Sequence, residues 1–198
     1  MSGNVAETQV HKRKRSLSRI GRKPVPVPTG VDLAFKPGEV TVKGPKGSLT
    51  QVLPLQVKVE NVDSTVQVSR LSDSNLHSAL HGLTRSLIAN AIEGVTKGYE
   101  KVLDLHGVGY RVQQSGPGIT LVVGLSHQVN VKPLQGVTMT VEGQNRIHVI
   151  GVDKQKVGEM AAIIHRVRPL NAYKDKGIIY FGEQIRFKAG KSAGRKTQ

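Results

Sequence analysis

The chain has 198 residues and carries 29 Lys plus Arg against 14 Asp plus Glu, a formal charge of +15, with no Cys and no Trp. Without cysteine there is no disulfide framework, no thiolate nucleophile and no Cys-ligated zinc, and a reducing compartment is compatible with the composition. No apolar stretch approaches the ~20 residues of a membrane span, and no apolar signal-peptide core follows the basic start, so neither membrane insertion nor classical secretion is expected.

In chain order, residues 1–23 come first as a basic N-terminal extension. Lys12, Arg13, Lys14, Arg15, Arg19, Arg22 and Lys23 stand against one acid, Glu7, for a net +6. Residues 24–97 read as a first α+β unit. Alternation of apolar and polar residues, as in Glu39-Val40-Thr41-Val42-Lys43, gives strands with one buried face. A helix follows, capped by Ser72 or Asp73, with Leu76, Leu80, Leu83, Leu87 and Ala91 on one inward stripe and Gly94 as its end.

Residues 98–180 repeat the plan. Val40, Val42, Val52 and Pro54 recur 79 positions later as Ile119, Leu121, Val131 and Pro133. Val57 and Val59 recur after 80 as Val137 and Met139, and Val66, Val68, Leu76 and Leu83 recur after 81 as Ile147, Val149, Val157 and Ile164. The second helix is expected to start at Asp153, bury Val157, Met160, Ala161 and Ile164, and stop before Pro169. The fold class is therefore α+β: two tandem duplicated domains, each a small, mainly antiparallel sheet covered on one face by a helix. Residues 181–198 form a basic tail. From 165 to the end, nine cations oppose two acids, net +7, whereas the 141 residues 24–164 hold 13 cations and 11 acids. Charge so segregated at the two ends suits a polyanion, because each Lys or Arg set against a phosphate releases a condensed counterion.

Catalytic motifs fail on inspection. Gly190-Lys191-Ser192 ends like a phosphate-binding loop, but the leading glycine it needs is Ile185. Gly107-Val108-Gly109-Tyr110 begins like a dinucleotide fingerprint, but the third glycine is missing, and a glycine-assisted bend between strands explains it better. His77 and His81 have the spacing of a zinc pair, yet Ser78 stands where metal-assisted hydrolysis needs Glu, which favours exposed or amide-bonded histidines. No catalytic residue, metal site or cofactor is assigned.

The stretch after the second helix is richer. Four of the seven aromatics, Tyr173, Tyr180, Phe181 and Phe187, lie among Arg166, Arg168, Lys174, Lys176, Arg186, Lys188 and Lys191. Such cations neutralise phosphates while a ring packs on a ribose or an unstacked base, and Gly177 lets backbone come close. Tyr173 is read as an RNA contact. For Tyr180, Phe181 and Phe187 two readings stand, RNA contact or anchorage of the tail on the second sheet.

These residues also carry a resemblance. Ser18-Arg19-Ile20-Gly21-Arg22-Lys23-Pro24, His81-Gly82-Leu83-Thr84-Arg85-Ser86-Leu87-Ile88, Gly107-Val108-Gly109-Tyr110-Arg111, Leu125-Ser126-His127-Gln128-Val129, Gly151-Val152-Asp153-Lys154-Gln155-Lys156-Val157-Gly158 and Tyr173-Lys174-Asp175-Lys176-Gly177-Ile178 occur in this order. Over about residues 18–188 the chain resembles the bacterial ribosomal large-subunit protein six family. The resemblance implies a duplicated α+β fold and a cytoplasmic place in the large ribosomal subunit. It implies large-subunit ribosomal RNA as partner, bound mainly through the second domain and tail, with ribosomal proteins as neighbours and translation factors docking nearby. It implies no enzyme activity, no cofactor and no small-molecule substrate. Where the family has Tyr-Lys-Gly-Lys-Gly, this chain has Asp175 in place of the middle glycine, and Leu170-Asn171-Ala172 replaces the usual Pro-Glu-Pro. A free-standing RNA-binding protein is the second reading.

Overall fold

The alternating Val-rich stretches form twelve short strands and the two periodic stretches form the helices of a computed structural model, which describes residues 18–62, 64–72 and 74–188. In the first half β1 (Val25–Pro26), β2 (Asp32–Lys36), β3 (Glu39–Gly44), β4 (Gly47–Val52), β5 (Val57–Val62) and β6 (Thr65–Arg70) precede α1 (Asn75–Thr96). In the second, β7 (Tyr99–His106), β8 (Arg111–Ser115), β9 (Gly118–Val122), β10 (Val129–Val131), β11 (Val137–Glu142) and β12 (Arg146–Gly151) precede α2 (Lys154–Val167), and a thirteenth strand, β13 (Gly177–Tyr180), follows.

The duplication holds strand by strand. The orders β2-β3-β4 and β1-β6-β5 of the first half recur as β8-β9-β10 and β7-β12-β11 in the second, where β13 is added outside β7. Every pairing between named strands is antiparallel. The fold class is as expected, with one refinement: the strands of each half divide between two small sheets. Alternation explains the burial. Val40 and Val42 on β3, like Ile119 and Leu121 on β9, are fully inward and belong to the core of their own half. Three repeated positions break the parallel: Val131 is buried but Val52 is exposed and Leu53 takes its place, and Leu76 and Leu83 are exposed where Val157 and Ile164 are buried.

The first helix needs three corrections. For α1 the N-cap is Ser74, whose Oγ accepts the His77 amide at 3.2 Å. Its inward face is His81, Thr84, Ile88, Ala91, Ile92 and Val95, whereas Leu76 and Leu83 are 62% and 50% exposed and Leu80 and Leu87 only half-buried. Nor does Gly94 end the helix, which continues to Thr96. Gly94 is buried because the halves meet there: a Cβ would lie 2.0 Å from the Val152 carbonyl oxygen. For α2 the expectations hold, with Asp153 accepting the Gln155 amide at 2.9 Å and Val157, Met160, Ala161 and Ile164 buried.

Within the first half, Lys46, at the β3–β4 turn, donates through its backbone N to the Val95 carbonyl at 3.0 Å and through Nζ to the Lys97 carbonyl, which ties the end of α1. A further contact binds the halves. Lys154 at the start of α2 lies 5.3 Å from the Tyr99 ring centre and donates to Asn90 Oδ1 at 3.2 Å. Burial, with the neighbouring Glu93 carboxylate, holds the Tyr99 hydroxyl well above its ordinary titration range. No helix among the described residues is long and apolar enough to cross a membrane.

Candidate nucleic-acid interface

Pro169 cannot continue α2, so the chain leaves the helix at Val167 and must turn before it can pair with β7. The turn is a tied loop. Asn171 accepts at its carbonyl from the Lys174 and Asp175 amides, both at 3.2 Å, its own amide donates to the Lys176 carbonyl at 3.0 Å, and its Oδ1 accepts the Tyr173 amide at 2.9 Å. With the loop gathered on Asn171, Tyr173, Lys174 and Lys176 are exposed, Tyr173 to 63%. Arg166 and Arg168, also exposed, flank the loop from the end of α2. The positive end groups there are stabilised by the carbonyl ends of the helix.

The loop closes through Gly177. Its φ is +152°, and a Cβ would lie 2.4 Å from the Leu170 Cα, so no other residue fits against the bridge between Pro169 and Ile178. Gly177 is buried, so its close approach is to the chain's own backbone. Asp175, in the place of the family's glycine, has φ +48°, a left-handed conformation that Asp tolerates better than most residues, and its carboxylate lies 3.8 Å from His106 Nδ1.

The tail then returns to the loop. The Lys188 amide donates to the Ala172 carbonyl at 3.1 Å, which brings residue 188 beside residues 171–176, with exposed Arg186 two residues before it. The aromatics divide between the two readings. Tyr180 anchors the tail, half-buried on β13, stacked on His165 at 5.3 Å and with Lys101 Nζ 6.0 Å from its centre. Phe181 and Phe187 are exposed, and Phe181 is covered only by the Arg146 guanidinium at 4.9 Å.

Sequence reasoning missed the Gly107-Val108-Gly109 bend as part of this surface. The bend does join β7 to β8, but the Lys176 side chain runs against Gly107, and Val108 stands at the tip almost fully exposed. The signal would have been the pairing of β13 with β7, which puts Gly177 opposite His106. On the same sheet Arg146 is held by Asp104 at 2.8 Å, which pushes its titration up, and His148 lies between Glu100 at 2.6 Å and Glu142 at 2.9 Å, whose hydrogen bonds raise its pKa and lower that of Glu142.

The remaining candidates lie elsewhere. Arg19, Arg22 and Lys23 are exposed on the first half, and Lys12, Arg13, Lys14, Arg15 and Lys191, with the Gly190-Lys191-Ser192 motif, fall outside the described residues. His77 and His81 do not converge on a metal: His77 Nδ1 pairs with Ser72 Oγ at 2.6 Å, and His81 Nε2 with the Val68 carbonyl at 2.8 Å. The arrangement after α2 is an exposed, cationic surface with exposed rings, which suits phosphates and unstacked bases.

Comparison with known proteins agrees with the duplicated plan. The family model described as Ribosomal protein L6 matches twice, over residues 27–98 and 106–181. The "Large ribosomal subunit protein uL6" of Thermus thermophilus is 48% identical over 180 residues, covering 91% of this chain and 100% of that protein. The proteins of the same name from Caldicellulosiruptor bescii and Carboxydothermus hydrogenoformans are each 51% identical, covering 89% and 90% of this chain and 97% and 98% of theirs. With a family model matching both halves and relatives near half identity along nearly their whole length, the chain belongs to the ribosomal protein L6 family.

Proposed function

We propose that this chain, a ribosomal protein and not an enzyme, is a structural constituent of the large ribosomal subunit that binds large-subunit ribosomal RNA chiefly through its second half and tail. In this reading Arg166, Arg168, Tyr173, Lys174, Lys176, Arg186, Lys188 and Lys191 make the contacts, beside neighbouring ribosomal proteins and near where translation factors dock. The two units span 24–97 and 98–180, with basic extensions on either side. The observation that carries the reading is the loop at 171–176, tied by four hydrogen bonds on Asn171 while Tyr173, Lys174 and Lys176 are exposed.

The test is binding of the full chain to a large-subunit RNA fragment, followed against salt. Lys174→Ala with Lys176→Ala removes two phosphate partners and no buried contact, so the salt slope should fall by about 1.5 to 2 with the melting temperature unchanged. Tyr173→Ala should cost ~1–3 kcal/mol of binding at an unchanged slope. If neither change moves affinity, the RNA contact does not lie on this loop. If the chain sediments away from ribosomes at physiological salt, the free-standing reading replaces it.

A further inference from the structure

Two of the stretches that carry the family resemblance, 18–24 and 81–88, are some sixty residues apart in sequence but meet in space. Residues 18–23 form a compact turn: the Gly21 amide donates to Ser18 Oγ at 3.2 Å, and the Arg22 and Lys23 amides donate to the Ser18 and Ile20 carbonyls at 3.2 and 3.1 Å. The turn is wedged against α1. Gly21 is buried with its Cα face on the His81 ring, where a Cβ would fall 2.5 Å from Nδ1, and Arg85 Nε donates to the Lys23 carbonyl at 3.2 Å. His81 is itself 2% exposed.

This docking leaves a cleft of about 420 Å³ between the turn and β6. Its walls are Arg22, Lys23, Gln67, Ser69, Arg70 and the edge of His81; Arg70 is engaged in an interaction of its own, and the cations Arg22 and Lys23 face no carboxylate among the described lining residues. The volume falls in the range of small-ligand sites. The chemistry is that of a nucleotide unit: guanidinium and ammonium groups for a phosphate, with amide and hydroxyl groups for a sugar hydroxyl or a base edge. It does not suit a protein anchor, which needs an apolar, desolvated pocket at its centre.

We propose that this cleft of the first half is a second, independent RNA site that seats one phosphate–sugar unit of ribosomal RNA, so that each half of the chain grips its own RNA segment. The inference rests on the RNA-binding reading above and adds a site that its loop does not need. The turn is a preformed cation display whose backbone is fixed before RNA arrives, so little ordering remains to oppose binding. It differs from the second-half surface in being a cleft with no exposed Tyr or Phe among its described lining residues.

The chain's lack of cysteine supplies the test. Two single-cysteine versions of the full chain, Ser69→Cys at the rim of the cleft and Gln184→Cys beside the tail, each carry a tethered iron chelate that cuts nearby RNA. Bound to a large-subunit RNA fragment, the two should cut at separate segments. Adding Arg22→Gln with Lys23→Gln should weaken cutting from position 69 relative to cutting from 184, which stays intact, and lower the salt slope by about 1.4 to 1.8. The fold should survive this pair, because Arg85 bonds the backbone carbonyl of residue 23, and a melting curve checks it. Silence from position 69 with strong cutting from 184 overturns the proposal and leaves the RNA-binding reading standing. Silence from both overturns that reading as well. If the double variant loses a ribosomal-protein contact while its RNA affinity is unchanged, the cleft is a protein site and the proposal fails.

Discussion

The strand beside β6 in the first half is only Val25–Pro26, set in the run Pro24-Val25-Pro26-Val27-Pro28, whereas its counterpart beside β12 in the second half, β7, runs eight residues. Proline has no amide hydrogen to offer a neighbour and so closes an edge. The open edge of β7 instead accepts β13, and β13 carries the cationic loop before it and the basic tail after it. One duplicated plan therefore serves two ends. The difference teaches that specialisation here lies in a single sheet edge, blunted in one copy and extended in the other, while both cores stay aliphatic and closed.

Truncating the two cores tests whether the copies are equivalent beneath their edges. Ile88→Ala and Ile164→Ala each empty a fully buried site under one pair of sheets and should each cost about 3–4 kcal/mol by chemical denaturation. Leu83→Ala, on the exposed flank of α1, should cost no more than about 0.5 kcal/mol. A Leu83 effect as large as that of Ile88 would break the assignment of the buried face. Gly94→Ala comes next, at about 1–3 kcal/mol, because the added methyl meets a backbone carbonyl of the other half. Its signature should be a split of the single melting transition, with each half retaining its own circular dichroism.

Smaller effects sharpen the contrast at the β7 edge. Asp175→Gly relieves a left-handed Asp and removes a carboxylate from a cationic loop, so RNA binding should tighten by about two- to fivefold at low salt, with the gain shrinking as salt is added. The smallest effect is a pH dependence. The carboxylates of Glu100 and Glu142 raise the pKa of His148, so its contribution is fully present below its unfolded value near 6.5 and is lost as pH rises through the higher folded value. Glu142, lowered chiefly by its hydrogen bond to His148, contributes above its unfolded value and loses that contribution as pH falls through the folded one. His148→Gln should therefore lower the melting temperature by about 1–3 °C near pH 5.5 and by less above pH 8. An equal loss at both pH values would show that the imidazole acts by packing and not by charge.

Much of the fold was legible because its signals are local. The period-two alternation, the Asp153 cap and the drifting 79-to-81 spacing each depend on residues close in sequence or on a simple offset. The inward face of α1 was not, because the helix carries two stripes of plausible burial turned by roughly a quarter revolution. Leu76, Leu80, Leu83 and Leu87 form the more apolar one, yet His81 and Thr84 go inside, since the Val68 carbonyl accepts the imidazole and Gly21 leaves room for its ring. Gly94 looked like a stop signal because a glycine's freedom and its small size are indistinguishable in a sequence; here size decided. In the candidate interface the cations and Tyr173 were legible from density alone. The return of Lys188 to Ala172 and the bend at Val108 were not, because a four-residue strand such as β13 is compatible with many registers and partners.

The contact of Gly94 with the Val152 carbonyl has a further consequence. With Lys154 reaching back to Asn90, the halves are joined too closely to swing on a tether. Once one half has docked on a polyanion, the other is presented at a single distance and angle, where its effective concentration is high if a second segment waits there and close to zero if none does. On the two-site proposal, such a chain gains avidity only from RNA already folded to the matching spacing, which favours a folded RNA arrangement over a loose strand of the same sequence.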